Sequence, residues 1–81
     1  MNSEQVARLI EAGLAGSHAL VKSDDNVHFE AVVIAPAFAG QRPVQRHQLV
    51  YSTLGKAVGN EIHALALQAF TPDEYAGRGR G

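Results

Sequence analysis

Two histidines carry the clearest chemistry in this chain: His63, at the mouth of the apolar run Ala64 to Phe70, and His28, near the start of the run Val27 to Ala35. An imidazole can offer one ring nitrogen to a metal while the other is held by a hydrogen bond, although a histidine at a strand entrance also serves as a capping or packed residue. The sequence contains no cysteine. A thiolate-dependent metal centre could therefore involve these histidines only if another molecule brought the sulfur.

The remaining polar residues point to weaker chemistry. Asp24, Asp25 and Glu30 supply carboxylates, but no nucleophile elbow, phosphate-binding loop or HExxH zinc motif accompanies them, so no independent catalytic turnover is expected. His28 beside Glu30 on one strand face reads as a solvated pair. Between Glu30 and Glu61 no acidic residue occurs, and Arg42, Arg46 and Lys56 give that stretch a local charge of +3, to which His47 can add. Such a patch could face a phosphate backbone. Against this stand a net charge of −1 and, around the helical region after Pro36, the want of a GxxG loop of the kind that grips single strands: Gly55 to Gly59 has the wrong spacing, and Gly40 to Pro43 lacks the second glycine. His18 opens a strand and carries no distinct signal.

These residues need elements to position them. With 81 residues and 46% hydrophobic content, the chain makes one small domain. A domain of this size buries only about 60% of its unfolded surface, which favours an economical core. Met1 to Gln5 has neither a basic run nor a long apolar one, so neither a signal peptide nor a membrane span is expected, and the cytoplasm is the default compartment.

Ser3 suits an N-cap, and Val6, Leu9, Ile10 and Leu14 follow at helical spacing, which predicts a helix from Ser3 to about Ala15 stopped by Gly16. From His18 the period changes to two, and Ser23 to Asn26 is a turn between this strand and the return strand. Phe29, Ala31 and Val33 share one face of that strand; His28, Glu30, Val32 and Ile34 share the other. Pro36 ends it, and Pro43 opens a helical region. If Val44 to Val58 were one continuous helix, Val44, Val50, Tyr51, Leu54 and Val58 would form an apolar stripe containing His47, which then reads as a core histidine or a partner contact. Ala64 to Phe70 is the third strand, apolar on both faces except at Gln68 and so expected to be covered. Thr71, Pro72, Asp73 and Glu74 open a last helix. The domain is expected over residues 1–76, with a flexible Gly/Arg tail over 77–81. The fold class is α+β, with helices covering one face of a three-stranded sheet. If the second and third strands are parallel neighbours, His28 and His63 come to the same end of the sheet.

The segments Gln45 to Tyr51, Ile62 to Leu65 and Phe70 to Tyr75, with the hairpin His28 to Val33 and the loop Phe38 to Gly40, together resemble the BolA family, particularly its IbaG-like bacterial branch. The resemblance covers nearly the whole chain. It implies a KH-like αββααβα fold with a mixed sheet, and a partnership with a monothiol glutaredoxin around a bridging [2Fe-2S] cluster that serves iron–sulfur assembly, trafficking or iron and redox regulation. It further implies that His63 is a cluster ligand, matching the family's histidine at the start of the last strand. Many members take a second ligand from the hairpin, where His28 is the nearest candidate here. Some members use a cysteine a few positions earlier, where this chain has Asp25-Asn26. The thiolates would come from the glutaredoxin and glutathione, so the isolated chain is expected to bind no cluster and to be a monomer or one half of a heterodimer. A KH-like, nucleic-acid-binding stress-response regulator using Arg42, Arg46, His47 and Lys56 is the alternative.

Overall fold

A computed structural model describes residues 1–78. The element order is α1 (Ser3–Gly13), β1 (His18–Lys22), β2 (His28–Ile34), α2 (Pro43–Leu54), β3 (Ala64–Phe70) and α3 (Pro72–Gly77). Single 3-10 turns at Pro36–Phe38 and Gly55–Ala57 flank α2. The paired helices expected between β2 and β3 are thus one α-helix and short turns.

The cap of α1 is Asn2, not Ser3. Asn2 Oδ1 accepts the Gln5 amide at 2.9 Å, and Gln5 Oε1 accepts the Asn2 amide at 2.9 Å, closing a reciprocal capping box. The helix also stops earlier than Ala15, at Gly13, because Leu14 turns extended and drops into the core at 7% exposure. Gly13 is where α1 meets α2: a Cβ placed there would lie 2.8 Å from Thr53 Cβ.

The sheet has the order β1-β2-β3, with β1 antiparallel to β2 and β2 parallel to β3. Alternation sends Phe29, Ala31 and Val33 of β2 to the helix side, where all are buried. They pack with Val6 and Ile10 of α1, Val50 and Leu54 of α2, and Phe38 from the first 3-10 turn. Among the described residues no helix covers the opposite face of β3 before Phe70, where Tyr75 of α3 packs, so the expectation of a covered strand fails: Ala64, Ala66 and Gln68 are exposed, and Leu65 and Leu67 are half-buried. Alanine makes this exposure cheap, since it carries little apolar area.

The continuous helix from Val44 to Val58 does not form, since α2 ends at Leu54. Gly55 takes φ +55°, a conformation glycine tolerates, and the chain tightens into one 3-10 turn. Val58 leaves the stripe and is 39% exposed; Val44, at the other end, is 62% exposed. His47 is accordingly half-buried rather than in the core, its ring edge-on to Tyr51 at 6.5 Å. The last helix matches its expectation. Thr71 Oγ1 accepts the Glu74 amide, Glu74 Oε1 accepts the Thr71 amide, and Pro72 begins the first turn. Gly77 belongs to this helix instead of to a tail, and the Arg78 guanidinium lies 4.9 Å from the Phe70 ring centroid. The rest of the expected tail, 79–81, lies outside the described residues. Among the described residues no helix is long and apolar enough to cross a membrane.

Candidate metal centre at the adjoining strand starts

Parallel register puts His28 of β2 opposite Ala64 of β3, so His63 immediately precedes the residue paired with His28. The His63 amide donates to the Val27 carbonyl at 3.0 Å, which ties the entrance of β3 to the entrance of β2. Both histidines are exposed at the same end of the sheet. The crossover through α2 thus produces the juxtaposition that parallel neighbours require.

The turn before β2 fixes His28. Asn26 adopts φ +59°, a left-handed conformation that asparagine accepts. Asp25 Oδ1 receives the amides of Val27 at 2.9 Å and His28 at 2.8 Å, and the Ser23 hydroxyl donates to the His28 carbonyl at 2.6 Å. Asp25 Oδ2 then meets His28 Nδ1 at 2.7 Å. These bonds hold the Asp25 carboxyl well below the usual carboxylate range, chiefly through the His28 amide and then the His28 ring. In the neutral tautomer with Nδ1–H donating to Asp25, Nε2 is the nitrogen that carries the lone pair. A carboxylate behind a histidine in this way is the usual support for a metal-ligating imidazole, fixing its tautomer and orientation.

The expected His28–Glu30 pair does not form. Glu30 instead lies 3.4 Å from Lys22 across the hairpin, and Asp25 takes His28. In the sequence Asp25 stood out as a turn former, a carboxylate and the neighbourhood of the cysteine that some family members use, but not as a partner of His28; its position three residues before a histidine, across a tight turn, is the signal that marks it as an orienting group.

The structure separates the basic residues. Arg46, offered as a phosphate contact, is committed internally: its side chain is 13% exposed and its two Nη atoms meet the Glu74 carboxylate at 2.6 and 3.1 Å. Its Nε donates to the Gln41 carbonyl at 2.9 Å, and Nη1 also reaches the Ala69 carbonyl at 3.2 Å. Desolvated and bidentate, it ties α2 to β3 and α3, and it is unavailable as a surface cation. The same contact, with the Thr71 amide, lowers the Glu74 carboxyl to about 2. Arg42, before α2, and Lys56, in the following 3-10 turn, remain exposed.

Among the described residues, concavities mark the surface. One, of about 410 Å³, is lined by Lys22, Ser23, Asp24, Asp25, His28 and Glu30 and opens beside the His28 ring. The larger, of about 930 Å³, runs along the middle of the sheet and the start of α1, and neither candidate ligand lines it. Among the described residues, no three His, Asp or Glu side chains converge as a metal site. Two imidazoles make half of a coordination sphere at most.

A mixed three-stranded sheet covered on one face by helices, with a histidine at each of two adjoining strand starts, defines a KH-like α+β domain. A family model described as BolA-like protein matches residues 8–74, and the chain belongs to the BolA family. It is 41% identical over 61 residues to BolA-like protein 1 of Homo sapiens, covering 75% of this chain and 44% of that protein. It is 48% identical over 48 residues to the DNA-binding transcriptional regulator BolA of Vibrio cholerae, covering 59% of this chain and 45% of that protein. The chain thus spans less than half the length of these relatives. A solved bolA homologue from Coxiella burnetii superposes with a TM-score of 0.84 at 43% identity, over 94% of this chain and 97% of that one. The relatives are named as regulators or BolA-like proteins rather than as enzymes.

Proposed function

We propose that this chain co-ligates a [2Fe-2S] cluster with a monothiol glutaredoxin and glutathione, in iron–sulfur assembly, trafficking or regulation in the cytoplasm. The observation that carries the reading is the β2–β3 register, which brings His28 and His63 to one sheet end while Asp25 holds His28 Nδ1. The donor set fits the group, because one iron of such a cluster tolerates two imidazoles when thiolates hold the other. This chain contributes nitrogen ligands and their orientation. The glutaredoxin cysteine and glutathione contribute sulfur, so the isolated chain holds no cluster and the working unit is a heterodimer. Mixing the chain with a cluster-loaded monothiol glutaredoxin tests this: the visible circular dichroism changes and the two proteins co-elute on gel filtration. An unchanged spectrum with separate elution refutes it.

A second reading, nucleic-acid binding, draws on the names of bacterial relatives and on the exposed Arg42 and Lys56 at the two ends of α2, with half-buried His47 on the helix between them. Fluorescence anisotropy with labelled DNA over a salt series tests it. Binding that retains sequence preference at physiological salt supports this reading, whereas binding lost there without preference reduces it to nonspecific charge.

A further inference from the structure

The sheet order leaves β3 on an open edge, and its pairing with β2 fixes which backbone groups point there. The Ala64 amide reaches the Val27 carbonyl at 3.5 Å, and the Phe70 carbonyl accepts the Ala35 amide at 3.0 Å. Even-numbered residues from Ala64 to Phe70 therefore face β2, and Leu65, Leu67 and Ala69 turn N–H and C=O to the edge. Arg46 Nη1 takes the Ala69 carbonyl, which caps the far end of that row. Leu65 and Leu67 are left as two donor–acceptor pairs at the spacing one antiparallel strand offers another.

Edge strands are usually protected by charge, proline or a bulge. Ala64–Phe70 contains no charged residue and no proline, and it pairs residue for residue with β2 throughout. The opposite edge, β1, differs: it begins at His18 and ends at Lys22.

We propose that β3 pairs antiparallel with β3 of a second copy of this chain, about a two-fold axis at Ala66, to make a six-stranded sheet. In that register Leu65 and Leu67 of one copy exchange N–H···O bonds with Leu67 and Leu65 of the other. The Arg46-capped carbonyl of Ala69 is not needed. The two Ala66 residues face each other as a non-hydrogen-bonded pair, with Cα atoms about 4.5 Å apart, where a small side chain fits. Leu65 and Leu67, half-buried in the single chain, meet across the new seam on the helix side and extend the core. A strand without charge offers a charged peptide no complement, whereas a second copy matches it in polarity and bonding. The contact is one short strand pair, well below the ~1,200 Å² of stable interfaces, so the dimer is reversible and forms at high concentration.

The full chain without any cluster tests this, independently of the ligand reading. Sedimentation equilibrium from millimolar to micromolar concentration gives a reversible monomer–dimer equilibrium, and amide NMR shifts over the same dilution centre on Leu65, Ala66 and Leu67. Ala66→Lys places like charges opposite each other and weakens association about five- to thirtyfold. Ala66→Glu does the same, and an equimolar mixture of the two variants restores a dimer. Leu20→Lys, on exposed β1, leaves dimerisation unchanged. Sedimentation as a monomer throughout, an Ala66→Lys variant that dimerises like the parent, or shift changes centred elsewhere would overturn the proposal.

Discussion

Replacing Asp25 by asparagine isolates the one contact that distinguishes a metal-oriented histidine from a merely exposed one. Asparagine keeps an oxygen for the Val27 and His28 amides, now bonded at 2.9 and 2.8 Å, so the hairpin turn survives. It puts an NH₂ where Asp25 Oδ2 stands 2.7 Å from His28 Nδ1, and that group cannot accept the ring proton. Loss of such a partner typically lowers metal affinity about ten- to hundredfold. The side chains of His28 and Asp25 are 67% and 51% exposed, so water screens the pair and the low end, about tenfold, is expected. The assay is a titration of cluster-loaded monothiol glutaredoxin followed by visible circular dichroism, read as the half-saturating concentration. Hairpin amide shifts in NMR check that the turn is intact. An Asp25→Asn variant with parental half-saturation and an intact turn would refute the orienting role.

Other consequences concern stability and the alternative surface. Glu74 is held at about 2 against an ordinary 4.5, so its ionised form favours the folded state above about pH 4.5, and that contribution is lost as pH falls toward 2. Glu74→Gln, which can retain the bond to the Thr71 amide, is therefore expected to melt below the parent at neutral pH and to converge on it in acid. Parallel melting curves at every pH would contradict the ion pair's role. Gly13→Ala forces the α1–α2 contact apart at Thr53 and should cost about 1–3 kcal/mol, seen as a lower urea midpoint with unchanged slope; an unchanged midpoint would mean the helices separate freely. Replacing Arg42 and Lys56 together by alanine should leave cluster titration unaffected while removing any salt-sensitive DNA binding, and an effect on the titration would place the partner against the ends of α2.

Local patterns made most of the fold legible. The period-two alternation of β2, Thr71-Pro72 at the start of α3 and the shift from helix to strand near Gly16 each reflect forces acting within a few residues of the chain. The parallel β2–β3 pair stood only as a condition on the sequence; the register meets it, and the helical crossover then brings the two strand starts to the same end. Tertiary choices were not legible. Nothing local indicates that Leu14 leaves its helix for the core or that β3 lies on an edge with Ala64 and Ala66 facing water; Gly55 was a local signal, but the stripe to Val58 hid its effect. At the candidate centre, His28 and His63 stood out by residue type and position, whereas Asp25 looked like any turn aspartate until the turn closed. Arg46 was misread for a related reason, since its partners, Glu74 and the Ala69 carbonyl, lie more than twenty residues away in sequence and only the packed structure brings them to it.

The proposed function requires this chain to donate two imidazole nitrogens to a shared cluster. Pulsed electron paramagnetic resonance on the reduced complex, with only this chain labelled with ¹⁵N, reads those nitrogens directly. Two strongly coupled ¹⁵N nuclei are expected, one lost in His63→Ala and one in His28→Ala. A reduced cluster in the complex with no strong coupling to the labelled chain would contradict it.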